Sequence, residues 1–144
     1  MGINYILESA MFALLLAQIL KVPLRFVKTR KWDLRKCLST GEAVSSHAAL
    51  VFALATAIAI TDGINSTSFA ISIVLAGVVS FDAMGISHHV EEHAKYLNQL
   101  QQEFQIQNCQ KFKEQVGHNF FEVLIGILIG ILVPILFVWC TLFI

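Results

Sequence analysis

Four apolar stretches, each flanked by polar residues, organise the chain. The first covers 4–27, with an apolar core from Ile6 to Leu20 interrupted by Glu8, Ser9 and Gln18. As a helix it is long enough to cross a hydrocarbon layer of roughly 30 Å. Lys21, Pro23 and Arg25 mark its end or a kinked last turn. A basic connector from Lys28 to Lys36, with Trp32, suits a membrane interface. The second stretch, 44–61, is rich in Ala, and the polar turn Asp62-Gly-Ile-Asn-Ser66 separates it from the third, 67–86. Residues 87–115 are polar but carry Leu97, Leu100 and Phe104 at helical intervals. That spacing predicts an amphipathic helix outside the core, or a continuation of the third. Gly117 breaks the chain, and the fourth apolar helix covers 119–144 with Pro134 inside it. The pattern predicts an all-α integral membrane bundle, one domain over 1–144, with four transmembrane helices and one amphipathic cytoplasmic or stromal helix.

Composition agrees. The 144 residues are 56% hydrophobic and 14% charged, where a soluble domain carries about a quarter charged residues. Mean hydropathy is +0.70. Basic residues are not interleaved with aromatic ones as a nucleic-acid surface requires, so no nucleic-acid partner is expected. Cys37, Cys109 and Cys140 are too scattered for a zinc motif or a disulfide framework. No cleavable leader is evident.

The net charge is zero, but its distribution is uneven. All ten Lys and Arg lie between Lys21 and Lys36 or between Lys95 and Lys113. Four crossings put both basic stretches on one face. The positive-inside rule makes that face cytoplasmic in a bacterial inner membrane, or stromal in a plastid thylakoid or envelope membrane. Both chain ends then lie on the opposite side.

This topology concentrates chemistry at one boundary. Thr40-Gly-Glu-Ala-Val-Ser-Ser-His47 leads into the second helix, and His118 heads the fourth. The first N–H groups of a helix lack internal partners and point at whatever sits before them. Ser45 and Ser46 add hydroxyls, His47 and His118 add titratable rings, and Lys21 and Lys28 come from the same face. Helix dipole ends, N–H groups and cations together favour a phosphate there. Structural readings stand beside this one. Ser45 also fits a simple N-cap, and Asn119 with Glu122 fits a capping box. Lys21, Arg25 and Lys28 also fit snorkelling anchors. Asp82, expected to be buried late in the third helix, is either functional or paired with a basic connector residue.

Gly117-His-Asn-Phe-Phe-Glu122-Val-Leu-Ile-Gly126 resembles the last signature of the type 2 phosphatidic acid phosphatase superfamily, which includes vanadium-dependent haloperoxidases. Ser45-Ser-His47 resembles its middle signature, and Lys21 with Lys28 seven positions later resembles its first. The Leu50–Asp62 segment, Phe81-Asp82-Ala-Met-Gly85 and Leu97-Asn-Gln-Leu100 are similar to its short divergent branch in bacteria and plastids. The resemblance implies metal-independent hydrolysis of a lipid or prenyl phosphomonoester, with no cofactor. It makes His118 the nucleophile, Glu122 the group that holds its tautomer, and His47 the acid and base. Ser45, Ser46, Lys21, Lys28, Lys113 and Asp82 would then contact substrate. The chain departs from the pattern at Glu42, Val44 and Phe112, where the branch or the superfamily favours Gly, Pro and Arg. An alternative is therefore a catalytically degenerate member, kept as an accessory subunit of a larger membrane complex such as a photosynthetic one, or as a homo-oligomer. His89, Glu92 and His93 form the inverted zinc-hydrolase pattern His-x-x-Glu-His, a candidate metal site without a third protein ligand at recognisable spacing.

The charge distribution yields a direct test. Cysteines introduced at 62–66 should react with an impermeant maleimide only from the side away from the basic connector. Labelling from the cytoplasmic side overturns the orientation.

Overall fold

The computed structural model describes residues 3–29, 43–106, 109–114 and 117–143. Among these, five helices and no strand occur: α1 (Ile3–Thr29), α2 (Ser46–Thr61), α3 (Thr67–Met84), α4 (Ile86–Glu103) and α5 (Phe120–Phe143). The protein is an all-helical membrane bundle. Tyr5–Leu24, Phe120–Cys140 and the run Thr67–Glu103, whose apolar part is α3, are long and apolar enough to cross a bilayer. α2 has only 16 residues, or about 24 Å of helix. It lies at the centre, packed against α1, α3 and α5.

The centre is made of small side chains. Ala48, Ala49, Ala53, Ala55 and Ala57 of α2 are buried, as are Ala10, Ala13 and Ala17 of α1. Large ones point outward: Leu7, Leu15 and Ile19 on α1, Ile71, Val74, Val78 and Phe81 on α3, and Phe121, Leu132 and Trp139 on α5. Hydrocarbon tails are as apolar as Leu, so burying Leu between helices gains little, whereas small residues let backbones approach and gain dispersion contacts. Two hydroxyls bond carbonyls of their own helix: Thr61 Oγ1 donates to Ala57 O at 3.1 Å and Ser72 Oγ to Phe69 O at 2.9 Å. No water is at hand there to satisfy them.

The tightest contact joins α2 to α5. Gly126 and Gly130 stand one turn apart on α5. A Cβ on Gly126 would overlap the Ser45 carbonyl oxygen, and one on Gly130 would stand 2.7 Å from Ala49 O and 2.8 Å from Phe52 Cβ. The Ser45 N–H donates to Glu122 O across the same junction at 3.0 Å. At the far end Tyr5 Oη donates to Pro134 O at 2.8 Å, tying α1 to α5.

The third helix ends at Met84, and after Gly85 the chain resumes as the polar α4, as the change of pattern near 86 predicts. One feature differs from the apolar pattern. The amphipathic helix stops at Glu103 instead of reaching 115. Its end is a Schellman closure: Gln105 takes φ +49°, its N–H donates to Gln102 O, and the Ile106 N–H donates to Gln101 O. The described residues from 109 to 119 form an extended strap instead of a helix. Leu and Phe at helical spacing cannot signal a terminator that uses a non-Gly residue in the left-handed region.

The glycine contact predicts an asymmetry. Gly126→Ala should cost about 1–3 kcal/mol through forced backbone separation. Gly77→Ala, whose added methyl meets nothing within 4 Å, should be neutral or mildly stabilising. Thermal unfolding in detergent micelles measures both.

Candidate functional site

The chain folds so that α1 ends, α2 begins, α3 ends and α5 begins at one end of the bundle. Lys21 reaches Ser46 there, and the His118 N–H donates to Ala83 O at 3.1 Å. Between them lies a pocket of about 390 Å3 lined by His47, Val78, Val79, Asp82, Ala83, Ser87 and His118. That volume falls within the range of small-molecule sites. His47 and His118, 71 positions apart in the chain, thus share one pocket.

His118 is 7% exposed and Glu122 8%. His118 Nδ1 lies 3.3 Å from Glu122 Oε2. A carboxylate only accepts, so this contact selects the tautomer protonated at Nδ1 and leaves the Nε2 lone pair free. The same carboxylate accepts from the Asn119 N–H at 3.3 Å, and Asn119 Oδ1 accepts from the Glu122 N–H at 2.9 Å. The capping box and the His118 contact are therefore one arrangement: the cap fixes the carboxylate that orients the ring. Burial pushes His118 below its ordinary range. Glu122 pulls the other way through its hydrogen bond and charge, and the charges of Lys21 and His47 add to the lowering.

Lys21 is 5% exposed and donates to Ser46 Oγ at 3.4 Å. It points into the bundle and does not snorkel. Ser45 is fully buried, and its hydroxyl caps α2 by accepting from the Ala48 N–H at 3.3 Å. Ser46 is buried as well. Among the described residues these three sit inside the packed junction and not on the pocket wall. Asp82 was expected to be buried; it is exposed and forms part of that wall. The inner stripe of α3 is Ser72, Ala76, Ser80 and Ala83, so position 82 falls off it. Lys113 lies on the exposed strap, away from the pocket lining. Lys28 falls in the last turn of α1, and its side chain, like Trp32, Cys37 and Glu42, is outside the described residues. Sequence reasoning missed Ser87 as a lining residue; the helix break at Gly85 is what turns it toward the pocket.

The zinc pattern sits elsewhere. His89 Nδ1 lies 3.4 Å from Glu92 Oε2 on the exposed surface of α4, and His93 is exposed. No group of three metal-ligating side chains comes together among the described residues.

A family model described as "Divergent PAP2 family" matches residues 3–133. The chain belongs to the divergent PAP2 family. The "Uncharacterized membrane protein YuiD" of Bacillus subtilis (strain 168) is 36% identical over 146 residues, covering 92% of each chain. No solved structure matches. For this divergent PAP2 protein, two departures from the wider superfamily have visible settings. Val44 is wholly buried against Ala17 and Ala49, where it packs. Phe112 is half exposed on the strap.

The environment of His118 predicts its titration. In nuclear magnetic resonance of histidine-labelled protein in micelles, His118 should titrate below 6.5, the ordinary value. Glu122→Gln removes the group that favours the charged ring, so it should lower the value further. A rise would contradict the contact described.

Proposed function

We propose that this protein is an integral membrane phosphatase that hydrolyses a lipid or prenyl phosphomonoester through a phosphohistidine. The observation that carries the proposal is the shared pocket of His47 and His118, at the end of the bundle where two helices begin. Phosphoryl transfer demands an in-line nucleophile, charge stabilisation and little else from the protein. His118 Nε2 attacks phosphorus, and the P–O bond to the lipid alkoxide breaks. His47 gives the departing oxygen its proton. Water then attacks the phosphohistidine, His47 takes the proton, and phosphate leaves with His118 neutral again. Glu122 holds Nδ1–H through both steps and offsets the charge that appears on the ring.

Lys21 acts from behind the wall. Its charge already bears on His118, and with the first N–H groups of α2 it stabilises the equatorial oxygens. Burial of His118, which lowers its pKa, disfavours the protonated ring and so favours a free nucleophilic lone pair. Val78, Val79 and Ala83 make one side of the pocket apolar, which suits a phosphate attached to a hydrocarbon chain. The basic face is cytoplasmic or stromal by its charge, so the substrate is presented from that leaflet.

Purified protein in nanodiscs, offered a panel of lipid and prenyl phosphates, tests the proposal. His118→Ala should abolish phosphate release. His47→Ala should cost about 10²–10⁴-fold with alkyl esters and far less with a nitrophenyl ester, whose leaving group needs no proton. Vanadate should inhibit, because its bipyramidal adduct mimics the transition state, and chelators should have no effect. Strong inhibition by a chelator would overturn the metal-independent route. Absence of hydrolysis across the panel favours the accessory-subunit alternative.

A further inference from the structure

We propose that Asn98 is a positioning residue for His118, acting through the strap that leads into α5. The inference rests on the reading of His118 as nucleophile. Its structural basis is independent of that reading.

Asn98 lies on α4, in the middle of a polar helix, yet it is only 5% exposed. Its Nδ2 donates to Phe112 O at 2.9 Å and to Glu114 Oε1 at 2.6 Å, and its Oδ1 accepts from the Phe112 N–H at 2.9 Å. The amide thus pairs both backbone groups of one residue, as a neighbouring strand would. Only Asn and Gln carry a donor and an acceptor in that geometry. The strap has no helix or strand of its own among the described residues, so its backbone must be ordered by partners outside itself.

A second grip lies closer to His118. The Gly117 backbone lies near enough to the Glu91 carboxylate to favour its charged form. Glu91 is seven positions before Asn98, two turns along the same face of α4. Gly117 itself passes so near the start of α4 that a Cβ would stand 3.0 Å from His88 Cα. The strap therefore runs back along α4, gripped at Asn98, then at Glu91, and delivers His118 to Ala83 O. An imidazole on a free strap would sample many orientations. Gripped at Phe112 and Gly117, it arrives at the carboxylate of Glu122 in one. An error of about 1 Å in such a group costs on the order of a hundredfold in rate.

The test uses full-length protein in nanodiscs, with Asn98→Ala, Asn98→Asp and the neighbouring Gln99→Ala as control. Asn98→Asp keeps the acceptor and the shape but turns an oxygen toward Phe112 O and the Glu114 carboxylate. In either Asn98 variant, amide exchange at 109–118 should quicken about tenfold while α2 and α5 exchange as before. The His118 titration should move toward its ordinary value as the ring leaves its buried place. kcat should fall about a hundredfold with KM within about twofold, because the lining residues other than His118 stay put. Gln99→Ala should change none of these. If Asn98→Ala does not accumulate folded, Asn98→Asp is read in its place. Wild-type exchange at 109–118 together with a wild-type His118 titration in a folded Asn98 variant overturns the proposal. Shifted exchange and titration in a protein whose parent hydrolyses nothing upholds the positioning role and removes the phosphatase reading instead.

Discussion

The approach of α2 to α5 is the constraint on which the rest depends. Gly126 lets the Ser45 carbonyl into the space a side chain would fill, and the Ser45 N–H then reaches Glu122 O. Both helix beginnings are locked at one level by backbone atoms. His47 follows Ser45 by two residues, and Glu122 orients His118 from the first turn of α5. His47 and His118 are therefore positioned by main-chain geometry, which is stiffer than a contact between long side chains. Lys21 is buried at the same junction, where its ammonium donates to the Ser46 hydroxyl.

The membrane spans were legible because lipid leaves so few solutions. A chain that must satisfy its own backbone in hydrocarbon shows the fact as long apolar runs, and those runs mark α1, α2, α3 and α5. The meeting of His47 and His118 was legible at the level of topology: two crossings, α2 and α3, lie between the two helix starts, and an even number returns the chain to the same face. Asp82 was misjudged because hydropathy reports depth along a helix, not which side of it a residue occupies. The strap was misread because Leu97, Leu100 and Phe104 continue the helical rhythm up to the residue where Gln105 ends it.

Asn98 shows what no local pattern reveals. Its partners are 14 and 16 positions away, and nothing in the spacing of apolar residues encodes a side chain that stands in for a strand. Glu122 presents the reverse difficulty. The sequence offered a capping box and an orienting carboxylate as rival explanations, and the structure uses one oxygen for both. A residue that satisfies two demands at once cannot be assigned by weighing one against the other.

The shortness of α2 has a consequence for the surrounding bilayer. From Asp62 back to His47 the helix rises about 22 Å, while the hydrocarbon layer is roughly 30 Å thick. With the Asp62 turn at one boundary, His47 stands short of the other by roughly 8 Å. α1 and α5 are long enough to match the layer, so the shortfall falls at the start of α2 as a dimple beside them. A headgroup entering it sinks beneath its neighbours, or the membrane thins locally to meet it. Bilayer thickness thereby becomes a physical variable of this protein, set by the lipids around it and read at the mouth of the pocket.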